Sequence, residues 1–236
     1  MKMASNLVAR IRSSETVYHL KRRLNARRHD PVQPFHRRTG SIFVHIPKCA
    51  GMSVLQNIYG ETRQFGHAPA VQYYAADRAF FDRAFVFTVM REPISRFRSA
   101  FQFLSTGGIN DEDAAWAREH LTWADCEEAI TAIEGQGLWP EIQRWKHFRP
   151  QCHYLAGPYN DRAYHIDFIG RQDRMQETLD RVCDTLRLPR AEAQEVNRST
   201  ARDNSQLSTS ARAILERVYA DDLRLWQTTL ENWNGN

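Results

Sequence analysis

The chain has 236 residues, 25% of them charged and 42% hydrophobic, which is enough for one α/β domain with a real core and too little for two comfortable ones. It holds no run of about 18 apolar residues, and 1–40 never build an apolar segment, so neither a membrane span nor a signal peptide is expected. The net charge of +4 is unevenly spread: residues 1–40 hold ten Lys or Arg and two Asp or Glu, while the rest of the chain is net acidic.

The high pI therefore belongs to an N-terminal arm and linker, 1–40, and not to the body, 41–236, which reads as one domain. In the arm, Leu7, Val8 and Ile11, then Val17, Tyr18, Leu20 and Leu24, hint at amphipathic helix, with Lys21, Arg22, Arg23, Arg27 and Arg28 clustered around its end. A solvated, partly disordered leader is the expected reading. Peripheral contact with an anionic polymer or membrane surface is the alternative. Pro31 and Pro34 mark 30–40 as a linker.

Residues 41–60, SIFVHIPKCAGMSVLQNIYG, organise the rest of the chain. Ile42, Phe43, Val44 and Ile46 suit a buried strand, which Pro47 stops. Lys48 to Gly51 make a tight turn. Val54, Leu55, Ile58 and Tyr59 recur at helical spacing until Gly60 ends the helix. A strand, a small-residue turn carrying Lys and Ser, and a new helix together form an anion site. The first helical amides have no internal partner, the macrodipole adds partial positive charge, and Lys48 adds a full one. The turn is not a Walker A loop, because its Lys precedes the Gly. That counts against an ordinary kinase, although a divergent P-loop kinase is one alternative.

Residues 60–81 read as a mixed loop with His67 between Gly66 and Pro69. The second buried strand is expected over 84–90, AFVFTVM. The helix after it has Pro93 in its first turn and Ile94, Phe97, Phe101 and Leu104 on one face, and Gly107 and Gly108 end it. Arg91 lies at the strand exit, with Ser95 and Ser99 one turn apart on the helix. An Arg fork and a Ser hydroxyl suit a phosphate dianion. The two loops together ask for a ligand with two separated anionic groups.

Residues 107–150 are acidic and then rich in Trp (Trp116, Trp123, Trp139, Trp145). They are expected to form a helical insertion or lid shaping an acceptor site, or else a helical layer whose Trp residues are core. A third strand is expected over 164–170, YHIDFIG, with Asp173 capping a helix striped by Met175, Leu179, Val182 and Leu186. Residues 197–210 read as loop, and 210–230 as one long amphipathic helix. Strands alternating with helices predict a P-loop-like three-layer α/β/α fold with a central, mostly parallel sheet, in which ligands collect at the carboxyl ends of the strands. Cys49, Cys126, Cys152 and Cys183 have no ligand-like spacing, so reduced thiols in a cytoplasmic protein are expected. Cys49, at a helix start beside Lys48, is the exception, with a lowered thiol pKa expected.

HIPKCAGMS resembles the donor loop of sulfotransferases that use 3′-phosphoadenosine 5′-phosphosulfate (PAPS), in particular the carbohydrate group, sulfotransferase family 2, that includes heparan 2-O-sulfotransferase-like enzymes. FTVMREPISRFRSAFQFL is similar to the same family's R-x-P-x-x-R-x-x-S motif for the 3′-phosphate. QCHYL, DFIGRQD, VNRST and VYADDLRLW also resemble family landmarks, so the likeness spans residues 41–228. One departure is Met52, where the family usually has Thr.

The resemblance implies a transferase moving a sulfuryl group from PAPS to a hydroxyl, on a carbohydrate by family likeness, with PAP as the other product. Lys48, the backbone of Cys49, Ala50, Gly51, Met52 and Ser53, and the Ser53 hydroxyl would hold the 5′-phosphosulfate, with Lys48 neutralising the leaving oxygen. Arg91 and Ser99 would grip the 3′-phosphate. His67, in a Gly-His setting like that of the family's catalytic His, would be the base; His45, inside the strand, is expected to pack. No metal is required and no specific nucleic acid partner is implied. A module that binds anionic polymers without catalysis, suggested by the basic arm, is the non-enzymatic alternative.

Overall fold

A computed structural model describes residues 30–63, 65–155, 166–190 and 207–234. The basic segment 1–29, the VNRST stretch and the first two residues expected in the third strand lie outside the described residues. The elements in chain order begin with α1 (Pro34–Thr39), β1 (Ser41–Val44) and α2 (Gly51–Val54), which runs on as a π-helical turn, Leu55–Tyr59. Next come α3 (Ala70–Ala76), α4 (Arg78–Phe81), β2 (Phe85–Met90), α5 (Pro93–Ser105), α6 (Asp111–His120), α7 (Cys126–Gly135), α8 (Trp139–Ile142) and α9 (Cys152–Leu155). The chain then forms β3 (Phe168–Arg171), a 3-10 turn (Gln172–Arg174), α10 (Met175–Leu186), α11 (Thr209–Val218) and α12 (Ala220–Asn234).

Among the described residues the sheet has three strands in the order β1-β2-β3, all parallel, with Phe43 opposite Phe87 and Phe87 opposite Phe168. Because side chains alternate across a strand, each strand feeds two cores. Ile42, Val44, Val86 and Met90 pack under α3, α4 and α12 through Tyr73, Phe80, Phe81 and Trp226. Phe43, Phe87, Val89 and Phe168 pack against α1, α2 and α10 through Phe35, Val54, Leu179 and Val182. The result is the expected α/β architecture, a parallel sheet between helical layers. A third cluster joins α5 to α8 and α11, with Phe97, Leu104, Ile130, Ile133 and Leu215 at its centre. Trp139 is buried there, and Trp116, Trp123 and Trp145 pack against it.

Several local expectations need correction. Residues 34–39 are helical and not linker, because Phe35 and His36 have a core to bury against and Pro34 is tolerated in a first turn. Residues 70–81, expected as loop, are α3 and α4, whose Tyr73, Phe80 and Phe81 roof the sheet. Asp173 does not cap α10; its carboxylate takes two hydrogen bonds from Arg171 instead. The last helix is two, broken at Tyr219, whose hydroxyl donates to Phe148 O at 2.6 Å. No helix among the described residues is long and apolar enough to cross a membrane.

Candidate active site

The turn after β1 sets the first half of the site. Lys48 and Ala50 both have positive φ, 68° and 58°, a region where non-glycine residues cost roughly 1 kcal/mol or more each. Such a turn persists only where its surroundings over-determine it. Here Arg96, buried on α5, donates from Nε to Pro47 O at 2.9 Å and from Nη1 to Arg149 O at 2.9 Å. His45 fills the other side: a Cβ placed on Gly51 would lie 1.9 Å from His45 Nε2, so Gly51 is glycine because the imidazole occupies that space.

The second half begins at the end of β2. Arg91 follows Met90, whose strand is hydrogen-bonded directly to β1, so Lys48 and Arg91 emerge on the same carboxyl edge of neighbouring strands. Arg91 Nε donates to Ser95 Oγ at 3.0 Å, which aims the guanidinium along α5. Glu92 caps α5, accepting from the amides of Ile94 and Ser95. The first amides of that helix are therefore spent on a carboxylate, and the cationic charge at this strand exit comes from Arg91. Ser99 is half-buried one turn beyond Ser95.

Gln151 ties the two halves together. Its side chain accepts from Arg91 N at 3.1 Å and from the Cys49 thiol at 3.3 Å, and donates to Arg91 O at 2.8 Å. Buried Asp222, on α12, holds Gln151 and Cys152 in turn by accepting from both backbone amides. Sequence reasoning misses Gln151 and Asp222 except as letters in QCHYL and VYADDLRLW. A buried Gln between two turns carries no local signature.

The charges respond to this crowding. Burial and then the nearby Arg91 guanidinium bring the Lys48 ammonium down to about 8, with Asp113 opposing them. Its Nζ lies 3.9 Å from the centre of the Phe103 ring, a cation–π contact that steadies the side chain. Cys49 corrects the sequence expectation: burial pushes its thiol up to about 11, and the lowering by Arg96 and Arg91 is too small to reverse that. It is a packed thiol and not a reactive one. Ser53 is buried, with Asn57 Nδ2 donating to its carbonyl at 2.7 Å, and Met52 packs against the core beneath α2.

His67 sits beside the turn. Its Nδ1 donates to the carbonyl of His45 at 3.1 Å, which makes Nε2 the basic nitrogen. The ring stands 4.4 Å from that of His45 and 6.1 Å from that of His147. Burial holds His67 well below the usual imidazole range and brings His45 down to about 4, so both are neutral at pH 7. His45 packs, stacked on Phe43 at 5.4 Å. The structure also adds Phe103, Asp113, Lys146 and His147 to this neighbourhood. They come from the far end of α5, from α6 and from the stretch before α9, and nothing in their spacing predicts that they meet. Among the described residues no group of three or more His, Cys, Asp or Glu is arranged to hold a metal ion.

The arrangement offers two cationic positions a strand apart, an imidazole with a defined basic nitrogen, and a tight turn with two left-handed residues, which together suit transfer from a doubly anionic donor. Comparison with known proteins agrees at the level of family. No curated protein matches the sequence, whereas the model of the sulfotransferase family matches residues 35–227. That match covers α1, both anion-site loops and the Asp222 clamp, and with it the chain belongs to the sulfotransferase family (family 2), whose chemistry is sulfuryl transfer.

Proposed function

We propose that this sulfotransferase takes its sulfuryl group from PAPS and delivers it to a hydroxyl, on a saccharide by family likeness. The observation that carries the reading is that Gln151 joins Cys49, next to Lys48, to the backbone of Arg91, so that the turns carrying the two cations on adjacent strand ends are tied together. A ligand charged at both ends of an adenosine fits such a pair, and Nη2 of buried Arg96, without a hydrogen-bond partner among the described residues, adds positive potential beneath it. The residues present therefore suit the donor.

In this reading Lys48, the amides of 49–52 and the Ser53 hydroxyl hold the 5′ end, the Ser53 amide being used by Ala50 O at 3.0 Å, while Arg91 and Ser99 hold the 3′-phosphate. The donor, when bound, supplies an electrophilic sulfur with a phosphate leaving group. Sulfuryl transfer resembles phosphoryl transfer in its loose, in-line transition state, so the chain contributes mainly position and charge. Lys48 neutralises the charge that grows on the leaving oxygen. His67 Nε2 takes the acceptor proton, being neutral and held by His45 O. Met52, with no hydroxyl, leaves its share of the anion contact to the backbone. The helical region 107–150 contributes Asp113, Lys146 and His147 beside Lys48, which supports its role in framing the acceptor. A cytoplasmic location belongs to the same proposal, supported by cysteines that form no disulfide.

The test is calorimetric titration with PAP, followed by transfer of labelled sulfate from PAPS to a panel of glycans and small alcohols. Wild type is expected to bind PAP at least tenfold more tightly than adenosine 5′-monophosphate, about 1.4 kcal/mol. Lys48→Ala should abolish transfer, and Arg91→Ala should erase the preference for PAP. A wild-type protein that binds neither PAP nor PAPS overturns the proposal.

A further inference from the structure

Beyond Lys48 and His67, the site contains a second imidazole with an acid partner. His147 Nε2 lies 3.3 Å from Asp113 Oδ1, and both residues are buried, Asp113 with no exposed surface at all. A carboxylate can only accept, so His147 carries its proton on Nε2 and its lone pair on Nδ1. That Nδ1 is buried and has no hydrogen-bond partner among the described residues. A buried ring nitrogen left bare normally costs stability, and it persists most readily where the reaction uses it.

The ring stands among the residues of the site. The His147 ring stands at 71° to that of His67, with centres 6.1 Å apart, and 4.9 Å from the centre of Phe103, the ring on which Lys48 rests. The charged groups around it are Asp113, Lys146 and Lys48, and Glu112 reaches Lys146 from α6. Lys146 shares Asp113 at 2.9 Å, which fixes the carboxylate without replacing its bond to His147. His67 has a backbone carbonyl on Nδ1, whereas His147 has a carboxylate on Nε2, so of the two rings His147 is the better place for a proton to rest.

We propose that Asp113 and His147 form a histidine–carboxylate pair that receives, on His147 Nδ1, the proton taken by His67 from the acceptor hydroxyl. The proposal rests on the sulfotransferase reading and deepens it. As the acceptor oxygen bonds to sulfur and the bond from sulfur to the phosphate oxygen breaks, the hydroxyl proton moves to His67 Nε2. Once the sulfated oxygen no longer needs that nitrogen, the His67 ring turns from it toward His147, and the N–H bond on Nε2 breaks as the proton bonds to His147 Nδ1. His67 returns to neutral, and Asp113 stabilises the imidazolium on His147. The proton leaves by the reverse path to water after the products go. His147 is thus a positioning residue that acts through His67, being too enclosed to touch a saccharide itself.

The experiment uses full-length protein with nitrogen-15-labelled histidine, loaded with PAP, and long-range proton–nitrogen correlation spectra across a pH titration. The expected result is a His147 ring protonated on Nε2 and bare on Nδ1, with a midpoint that falls in Asp113→Asn. A bare Nε2, or a His147 midpoint that Asp113→Asn does not move, overturns the pair. With an acceptor found by the glycan and alcohol panel, His147→Gln separates the roles, because its amide can still donate to Asp113 but cannot take a proton. We expect His147→Gln and Asp113→Asn to lower kcat by about tenfold or more and to shift the acid limb of its pH profile, with PAP affinity within about twofold of wild type. Full kcat and an unshifted profile in His147→Gln overturn the relay. Failure of wild type to bind PAP is a separate result, which removes the proposed donor and leaves the Asp113–His147 spectra to be read on their own.

Discussion

Gln151 grips the backbone of Arg91 from both sides, donating to its carbonyl oxygen at 2.8 Å and accepting from its amide at 3.1 Å, as a neighbouring strand would. The carboxamide thus extends the hydrogen-bonding of β2 past the strand end and hands the loop on to Cys49. Gln151→Leu keeps the volume but strands those backbone groups in a buried place. It should lower unfolding free energy in urea by about 2–4 kcal/mol, from two or more unpaired polar groups. Because both anion loops lose their tie, PAP affinity should fall in the same variant even at temperatures where it is fully folded.

Gly51 and His45 make a steric pair with a sharp test. Gly51→Ala forces the imidazole out of the space it fills, since the new methyl would sit 1.9 Å from Nε2. The expected cost is about 1–3 kcal/mol for overpacking, read by urea unfolding. Adding His45→Ala should recover part of the loss, giving a favourable coupling in the double-mutant cycle. Additive effects would mean that the two residues do not compete for this space.

Lys48 gives donor binding a pH dependence with a definite sign. Its ammonium in the empty protein is brought down to about 8 by burial and by Arg91. Above that pH the side chain is neutral, so binding an anion must first recapture a proton. The dissociation constant of PAP should therefore be flat below about pH 7.5 and rise by up to tenfold per pH unit on the alkaline side. Calorimetry in buffers of different ionisation enthalpy should detect proton uptake. In Lys48→Arg the alkaline rise should vanish.

Buried imidazoles make the fold itself sensitive to acid. Burial lowers His36 to about 3 and His45 and His147 to about 4, and lowers His67 well below its ordinary value. The unfolded chain protonates these groups near pH 6.5, so it binds more protons than the native state at lower pH. Their contribution is complete above about pH 6.5 and is lost as pH falls toward the folded values, by about 1.4 kcal/mol per pH unit for each ring. Urea midpoints should be level from pH 7 to 8 and drop steeply between about pH 6 and 4.5. His36→Gln, away from the site, should reduce the steepness by one ring's share.

The strands at 41–44 and 85–90, the helix begun by Pro93 and the two anion loops are readable in the sequence because each is local: an apolar run, a turn residue, a stripe at helical spacing. The helices at 70–81 are unreadable for the opposite reason. Their pattern is short, and Tyr73 and Phe80 make sense only once the sheet they cover exists. Cys49 misleads because sequence shows the neighbouring Lys48 but not the burial that outweighs it. His147 lies 34 residues from Asp113, and Gln151 lies 60 from Arg91 and 102 from Cys49; tertiary contacts of that range leave no periodicity to detect.

Arg96, anchored by the carbonyls of Pro47 and Arg149, places a guanidinium beneath the turn. The positive field at the turn thus comes from an ammonium, which fades as Lys48 titrates, and from the guanidinium groups of Arg96 beneath it and Arg91 beside it, a group type that stays charged. Alkaline solution should accordingly weaken anion capture to a residual level and stop there, and only replacing the guanidinium residues, Arg96 beneath the turn and Arg91 beside it, would take away the floor. The same guanidinium that keeps a strained bend in place keeps it electropositive, so the shape of the bend and its affinity for anions cannot evolve independently.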